Sequence, residues 1–515
     1  MSQSRLHFIG IGGQGISAVA QMALQAGEIV TGCDQNVSAT TRALEKAGIT
    51  IQIGHSADHL NNVDALVISP AVSVLNSNNP ELLAAQERGL RVITWQELLG
   101  ELFQGKLLLS VCGVHGKGTT TALLSLMLTD AGFDPTCEIG AVVPRFGANY
   151  RLGKSEYVVN EADEFNHNFW HYHPRLVVVK ALEFEHPEFF ADYEAFLGAF
   201  EHFVRGMDMQ GTWSLQPTLI VNIDSSGCMD LLARLHDWTG RIITYSVEGL
   251  RSVEGPLSSG LVPDAISAGY IEGPVVAREA ATYEAYDVHL NGETSFKVRS
   301  GSAALVEHLI HMQLPGLHNI ENALAALAAA RTVGADITTL VKTIEGFGGI
   351  RRRFEIRQQG PLQVNGQMLD IMIIDDYAHH PTAIAATLEA TRQRYPNRRI
   401  VTVYQPHMYS RTKTFFEQFL HAFDEADVAI ISDIFPARER DTGIVHARDM
   451  VNAMAQRKHF KDGAVVLHGG NVQDTTQTVK MTLCSGDILL IMGAGDIYTV
   501  TEQLLMQSTQ NTTRA

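Results

Sequence analysis

The chemistry of this chain concentrates in Gly113-Val114-His115-Gly116-Lys117-Gly118-Thr119-Thr120-Thr121. Glycines let backbone N–H groups converge on phosphate oxygens, a following helix adds partial positive charge, and Lys117 adds a full one. Such a loop grips a nucleotide, and a hydroxyl beside the lysine ligates Mg²⁺. The usual pattern puts Ser or Thr directly after the lysine. Here that position is Gly118, and the first hydroxyl is Thr119. The same chemistry needs carboxylates. Glu161-Ala162-Asp163-Glu164 follows an apolar run, which brings Glu161 to the carboxyl end of a strand, where a Mg²⁺ ligand is wanted. Asp163 and Glu164 read equally as ligands or as a solvated turn. His186, in Glu183-Phe184-Glu185-His186-Pro187, reads as a second-metal ligand or, on spacing alone, better as a turn histidine.

These residues need elements to hold them. Leu107 to Val111 reads as a buried strand, and the leucine-rich run Ala122 to Ala131, with Gly132 just past it, as a helix. Upstream, Leu6 to Ile9 is a short strand, Gly10-Ile11-Gly12-Gly13-Gln14-Gly15 a glycine turn, and Ile16 to Ala26 a helix. A second strand, Ile29 to Cys33, ends in Asp34. This is a G-x-G-x-x-G turn with an acidic residue at about the distance a dinucleotide fold uses. A nicotinamide dehydrogenase is the obvious candidate, any pyrophosphate-containing ligand suits the turn equally, and a plain tight βα turn is the bland alternative. The unit repeats through Asp64 to Ser69 and Arg91 to Thr94, and closes near Gly105-Lys106.

Further on, Asn319 and Asn322 open an alanine-rich helix, Ala323 to Arg331. Three residues apart, they share one face; ordinary N-capping by Asn319 is the alternative. Gly346-Phe347-Gly348-Gly349 reads as a hinge, and Arg351-Arg352-Arg353 after it as a solvated face or a phosphate clamp. Four apolar runs then end in polar loops: Asp375 to Pro381, Gln405 to Thr412, Ser432-Asp433 and Gly493 to Asp496. Four such loops on the carboxyl edge of one sheet point to a site. From Gly206 to Arg299 the pattern blurs. Thr218 to Asn222 is a clear strand, Gly249 to Gly273 is rich in Pro, Gly and Ser, and short β alternation runs near Val275 to Val298. The fold expected is α/β in three domains, 1–105, 106–345 and 346–515. The outer two are Rossmann-like and the central one is a P-loop ATPase domain with a mixed sheet.

Composition narrows the class. At 515 residues the chain has room for two or three cores. A formal net charge of -17 argues against a partner bound through a basic surface, nucleic acid above all. Five cysteines without a CxxC fit a reducing cytoplasm and suggest neither a disulfide framework nor a zinc site. There is no signal-peptide pattern and no apolar run long enough for a bilayer. A cytoplasmic protein without a membrane partner is expected; its oligomeric state is not legible.

In order, these motifs resemble the Mur ligases, ATP-dependent ligases of peptidoglycan precursor synthesis. The resemblance is carried by His7 to Gly13, Gly113 to Lys117, Glu161 to Glu164, and His318-Asn319-Ile320-Glu321-Asn322. It continues through Arg352-Arg353-Phe354-Glu355, Asp375 to Pro381, Gln405-Pro406-His407 with Ser410-Arg411-Thr412, and Gly493 to Asp496. The loops are similar to those of the alanine-adding branch, which implies L-alanine and UDP-N-acetylmuramate as substrates and ATP and Mg²⁺ as cofactors. The glycine turn (Gly10, Gly12, Gly13, Gly15, with Asp34 and Ser69) would then hold a UDP pyrophosphate and not NAD. ATP would sit on Gly113, Val114, His115, Gly116, Lys117, Gly118, Thr119 and Thr120, with Thr119, Glu161 and His186 on the metal. Asn319, Asn322, Arg352 and Asp376 would match nucleotide-contacting positions. Tyr377, His379, His407 and Arg411 would match the loops around the amino acid and the substrate carboxylate. The implied reaction runs through an acyl phosphate.

Four features depart from the family pattern: Gly118, Lys180-Ala181 where a Thr-Asn pair is usual, Met408, and Asn160. A Gly-Lys-Gly-Thr loop resembles that of the folylpolyglutamate synthases, where Thr119 would supply the hydroxyl. Two other readings stay open: a ligase that recycles a preformed tripeptide, and a Mur-like nucleotide-binding protein without catalysis.

Overall fold

Strand–helix alternation builds three sheets among the described residues. The computed structural model describes residues 3–69, 72, 78–248, 281–457 and 463–512. The Pro-, Gly- and Ser-rich stretch from Gly249 to Gly273 lies outside them.

The first sheet contains β1 (Arg5–Ile9), β2 (Ile29–Asp34), β3 (Thr50–Ile53), β4 (Ala65–Ile68) and β5 (Arg91–Thr94). All pairs are parallel, in the order β3-β2-β1-β4-β5. The chain winds outward from β1 in both directions, so the crevice at its carboxyl end is a topological switch point, where such sheets take ligands. The Gly10–Gly15 turn sits there. The helix after it is Gln14–Gln25, two residues earlier than the apolar pattern suggests.

The second sheet is mixed, as expected. It comprises β6 (Leu107–Cys112), β7 (Thr136–Val143), β8 (Ala148–Arg151), β9 (Tyr157–Glu161), β10 (Leu176–Val179), β11 (Thr218–Asn222), β12 (Arg241–Val247), β13 (Tyr283–His289), β14 (Thr294–Ser300) and β15 (Ala303–Met312). Its order is β15-β14-β13-β12-β11-β10-β6-β9-β7-β8. The antiparallel pairs are at its two edges. β6 lies between β10 and β9, another switch point, and the lysine loop leaves its carboxyl end. The following helix is Lys117–Asp130 and begins at the lysine itself, five residues before the leucine-rich run. The threonines after Lys117 belong to its first turn. The alanine-rich helix Leu317–Thr332 packs against it. Both helices are buried nearly all round, which is why neither shows an amphipathic stripe.

The third sheet contains β16 (Glu355–Val364), β17 (Gln367–Asp376), β18 (Ile400–Tyr404), β19 (Val428–Ser432), β20 (Val465–Gly470) and β21 (Ile488–Met492), in the order β16-β17-β21-β18-β19-β20. β16 and β17 form an antiparallel hairpin and the remaining pairs are parallel. The four strands expected to end in polar loops are β17, β18, β19 and β21, and they share one carboxyl edge. β21 lies between β17 and β18, so the loops after Asp376, Tyr404 and Met492 meet. Gln405 Nε2 donates to Asp496 Oδ1 at 2.8 Å, and Gly493 N donates to Asp376 O at 3.3 Å. One buried apolar cluster runs from Leu109 and Leu123 through Leu324 and Ile350 to Ile374 and Leu490, tying the second sheet to the third. No helix among the described residues is long and apolar enough to cross a membrane.

Candidate active site

Two glycines let the chain turn from β6 into its helix. Gly113 and Gly116 have φ of 116° and 79°, where L side chains are strained. Space forbids a side chain as well. A Cβ on Gly113 would lie 3.0 Å from Lys180 Cβ, and one on Gly116 would collide with the Asn322 amide. Val114 N donates to Ala181 O at 2.9 Å, so Ala181 pins the loop through its backbone. Lys117 Nζ donates to both oxygens of Glu164, at 3.0 and 2.7 Å. Burial disfavours its charge, but the carboxylates of Glu164, Asp163 and Glu161 outweigh this and hold the ammonium protonated well past neutrality. Thr119 and Thr120 are buried in the first helical turn, and Thr120 Oγ1 donates to Asn322 Oδ1 at 3.2 Å.

The carboxylates arrive from β9 and the segment after it. Glu161 ends β9, and its Oε2 accepts from Gly140 N at 2.8 Å. That oxygen would lie 3.2 Å from a Cβ on Gly118. A side chain at position 118 would press on the Glu161 carboxylate, which would have to shift by a few tenths of an ångström. Asp163, Glu164 and His186 bring donor atoms within 4.8 Å of one another. His186 Nε2 lies 3.8 Å from Glu164 Oε1, and its Nδ1 3.1 Å from Glu188 Oε1. His186 is at once a turn residue, with φ of 57°, and a neighbour of carboxylates. The sequence coupled it to Glu161; the structure groups it with Asp163 and Glu164. Glu138, on β7, has its carboxyl pushed up to about 8 by burial and then by the Glu161 charge.

Two further clusters join the second sheet to the third; sequence reading named His115, His407 and Arg411 but not Glu183, Glu185, His380 or Thr382 as site residues. Glu183 binds His115 Nε2, lies 3.1 Å from His380 Nδ1, and accepts from Thr382 Oγ1 at 3.0 Å. Burial pushes its carboxyl up, but His115 and His380 outweigh burial and hold it well below the ordinary range. Glu185 Oε1 accepts from Arg411 Nε at 2.9 Å and from a terminal nitrogen at 2.6 Å. Both members of that pair are nearly fully buried. The Glu-x-Glu-His run was visible in the sequence, but Thr382 is 199 positions from Glu183 and Arg411 is 226 from Glu185. His407 Nδ1 lies 3.0 Å from Arg411, and its imidazole is lowered to about 4 by burial and then by Arg411. His379 is likewise held neutral, with its Nδ1 3.0 Å from Tyr377 O.

Asn322 Nδ2 donates to Asn319 Oδ1 at 3.1 Å, so the pair does share a face. Asn319 Nδ2 donates to Pro315 O at 2.8 Å. Arg352 donates to Gly493 O at 2.6 Å and stacks over Tyr377 and Tyr498. Asp376 accepts from the Phe354 and Ala378 amides, both at 2.7 Å. Burial raises its carboxyl and lowers the Arg352 guanidinium. Asn319, Asn322, Arg352 and Asp376 border one cleft of about 1070 Å³. It is lined by Val114 to Thr119, Glu161, His186, Asn319, Asn322, Arg352, Asp376, Tyr377, His379, His407 and Arg411.

The N-terminal candidates lie elsewhere and do not line this cleft. Gly10 and Ile11 donate to Cys33 O at 2.9 and 3.0 Å. Asp34 Oδ2 accepts from Gly12 N at 2.9 Å, and Oδ1 from Asn36 N at 3.2 Å. Asp34 thus stiffens the turn. Gly13 caps the helix Gln14–Gln25, Gly15 packs against the Trp95 ring, and Ser69 follows β4.

The family model described as Mur ligase family, catalytic domain, matches residues 5–107; the Mur ligase middle domain matches 111–330 and the Mur ligase, glutamate ligase domain matches 352–495. A UDP-N-acetylmuramate--L-alanine ligase of Acetivibrio thermocellus is 35% identical over 504 residues, covering 97% of this chain and 95% of that protein. The chain belongs to the Mur ligase family. The crystal structure of a UDP-N-acetylmuramate-alanine ligase from Thermotoga maritima shares its fold, with a TM-score of 0.73 at 23% identity over 98% of this chain and 99% of that one. A murein peptide ligase from Psychrobacter arcticus superposes with a TM-score of 0.65 at 25% identity, covering 98% of each chain.

Within this Mur ligase, Asn160, Met408 and Lys180, at the other departures, are buried. Asn160 Oδ1 accepts from Ser110 Oγ at 2.6 Å inside the sheet, while its buried Nδ2 has no hydrogen-bond partner. Met408 has φ of 67° and is buried at the start of the helix Tyr409–Thr414. Lys180 is buried with its ammonium 5.2 Å from the Tyr245 ring centre, and burial lowers it to about 8.

Proposed function

We propose that this Mur ligase joins L-alanine to UDP-N-acetylmuramate with ATP. The observation that carries the reaction class is the single cleft shared by a lysine-bearing loop, a carboxylate cluster and the Arg352 and Asp376 loops. The substrate pair is supported by full-length relatives bearing that activity in their names. In this reading residues 1–105 hold the UDP-sugar on the Gly10–Gly15 turn, 106–345 hold ATP and Mg²⁺, and 346–515 bring the amino acid. The reaction belongs in the cytoplasm, where its nucleotide substrates are.

ATP seats its phosphates on the amides from Gly113 to Thr119, with Lys117 on the β/γ oxygens. Thr119, Glu161 and the Asp163, Glu164 and His186 group offer mostly oxygen donors, which suit a hard cation such as Mg²⁺. When bound, Mg²⁺ neutralises charge developing between the β- and γ-phosphates. The muramate carboxylate attacks the γ-phosphorus, ADP leaves, and an acyl phosphate forms. The alanine amine then attacks the acyl carbon and expels phosphate. Neutral His379 and His407, with Tyr377, surround the incoming amino acid, while Arg411 is braced by Glu185.

The test is phosphate release with ATP, Mg²⁺ and UDP-N-acetylmuramate across a panel of amino acids. L-alanine is expected to turn over fastest. Preference for a tripeptide in direct competition would move the assignment to the recycling reaction. Calorimetric binding of ATP or the sugar nucleotide without turnover would remove the ligase reading.

A further inference from the structure

A second group of donors lies at the first sheet, away from the cleft. His7 is on β1 and Cys33 on β2; His59 sits in the short 3-10 turn Ala57–Leu60, and Glu81 in the helix Pro80–Glu87. Their donor atoms all lie within 4.8 Å of one another, and His7, Cys33 and Glu81 are fully buried. Glu81 Oε1 is 2.5 Å from His59 Nδ1 and 3.7 Å from His7 Nε2; Oε2 is 3.1 Å from Cys33 Sγ and 3.2 Å from His55 Nδ1.

The tautomer of His7 is the informative detail. Its Nδ1 lies 2.9 Å from Thr31 Oγ1, and that hydroxyl donates to Leu6 O at 3.4 Å. Where the hydroxyl gives its one proton to Leu6 O, it accepts from His7 Nδ1–H. In the neutral ring Nε2 then carries a lone pair. Nε2 is buried without a hydrogen-bond partner and faces Glu81 Oε1, another acceptor. Two buried acceptors opposed to one another are unfavourable unless a proton or a metal cation lies between them.

We propose that His7, Cys33, His59 and Glu81 form a zinc site that braces the glycine turn of the first sheet. One thiolate, two imidazoles and one carboxylate make a tetrahedral donor set of the kind Zn²⁺ takes, and Mg²⁺ does not select thiolate. Bond lengths of about 2.0–2.3 Å give tetrahedral edges of about 3.3–3.6 Å; the 3.1 Å from Glu81 to Cys33 and the 3.7 Å to His7 lie close to that range, and the 2.5 Å between Glu81 and His59 opens by about 0.8 Å when both ligate. Thr31 is the outer hydrogen-bond partner that orients a ligating histidine. Binding displaces the Cys33 thiol proton. The Cys33 carbonyl holds the Gly10 and Ile11 amides, and the next residue, Asp34, holds the Gly12 amide, so a fixed Cys33 fixes the turn. Cysteine spacing argued against a zinc site because the donors come from four separate elements. Cys33 is the only cysteine in any group of three or more such donors among the described residues.

The test uses the full chain, stripped with a chelator and desalted. One equivalent of Co²⁺ should give a tetrahedral d–d spectrum with a sulfur-to-cobalt charge-transfer band, and Zn²⁺ should displace it at one ion per chain. Cys33→Ser should abolish the charge-transfer band, and His59→Asn should weaken Zn²⁺ binding at least ~10-fold. Glu161→Gln, at the nucleotide site, should leave the band intact. A wild-type protein with no sulfur band, or a band that survives Cys33→Ser, overturns the proposal and leaves a hydrogen-bonded cluster. The wild-type spectrum decides the case even where a variant fails to fold.

Discussion

The two glycine turns of this protein start from the same backbone. Each follows an interior strand of a largely parallel arrangement, sits at a switch point and opens a helix. They differ in what the neighbouring strands deliver. Gly113–Lys117 carries its own cation and meets Glu161, Asp163 and Glu164 in an open cleft. Gly10–Gly15 has no lysine, and its acid, Asp34, turns back onto the Gly12 and Asn36 amides. Strand, turn and helix supply amides and a dipole. Side chains from adjacent elements decide whether such a crevice transfers phosphate or only holds a ligand.

The largest effect should come from removing the cation. Lys117→Ala is expected to lower the rate of phosphate release roughly 10³-fold, because charge developing on the γ-phosphate loses its fixed partner. It also leaves the buried Glu164 uncompensated, which costs about 3–5 kcal/mol, readable as a lower urea midpoint. Glu164→Gln made together with Lys117→Ala should recover much of the stability and none of the rate. A Lys117→Ala enzyme within ~10-fold of wild type would erase the functional distinction between the two turns.

The next effect concerns the hydroxyl. Thr119→Val should slow phosphate release roughly 10²-fold and raise the Mg²⁺ concentration needed for half-maximal rate. Gly118→Thr restores the usual loop pattern, yet its Cβ would lie 3.2 Å from Glu161 Oε2. It should therefore be slower than wild type, by about 10-fold. A faster Gly118→Thr enzyme would mean that the hydroxyl belongs at 118 and that Glu161 yields easily.

Much of this contrast was legible in the chain. Apolar runs ending in polar loops marked β1, β6, β9, β17, β18 and β21, because buried parallel strands read as continuous hydrophobic stretches. β3 and β15, half-exposed and mixed in pattern, were not marked. The hairpin β7/β8, which supplies Gly140 and Glu138 to the carboxylate cluster, was also missed. Lys117, Glu161 and the Asn319–Asn322 pair were visible because their chemistry is local to one strand end or one helix start, whereas spacing alone read His186 as a turn residue. Glu183 with His380, and Glu185 with Arg411, were not, because each pair joins loops of different sheets. The His7, Cys33, His59 and Glu81 cluster was hidden for the same reason.

A smaller, pH-dependent effect is expected from Glu138, the buried carboxyl near Glu161. The Glu138 carboxyl stands near 8 in the folded protein against an ordinary 4.5, raised by burial and by Glu161. The unfolded chain releases that proton first. This contribution to stability is complete below the ordinary value and is lost as pH rises through the folded one, by at most roughly 1.4 kcal/mol per pH unit. Urea midpoints should fall between those limits, and Glu138→Gln should flatten the fall. An equal fall in Glu138→Gln would assign the loss to another group.

The smallest effect tests whether the first turn acts independently of the second. Asp34→Ala removes the acceptor of the Gly12 and Asn36 amides. It should cost about 1 kcal/mol of stability. A loosened turn should bind the sugar nucleotide about 10-fold more weakly, measured by calorimetry, with the KM for ATP unchanged. Asp34→Asn keeps an amide-accepting oxygen at the same reach and should restore most of the affinity. The rescue separates geometry from charge: if Asp34→Asn behaves like Asp34→Ala, the acid contacts the ligand itself. If the KM for ATP rises in step with the sugar-nucleotide affinity loss, the two turns are coupled through the interface between their sheets.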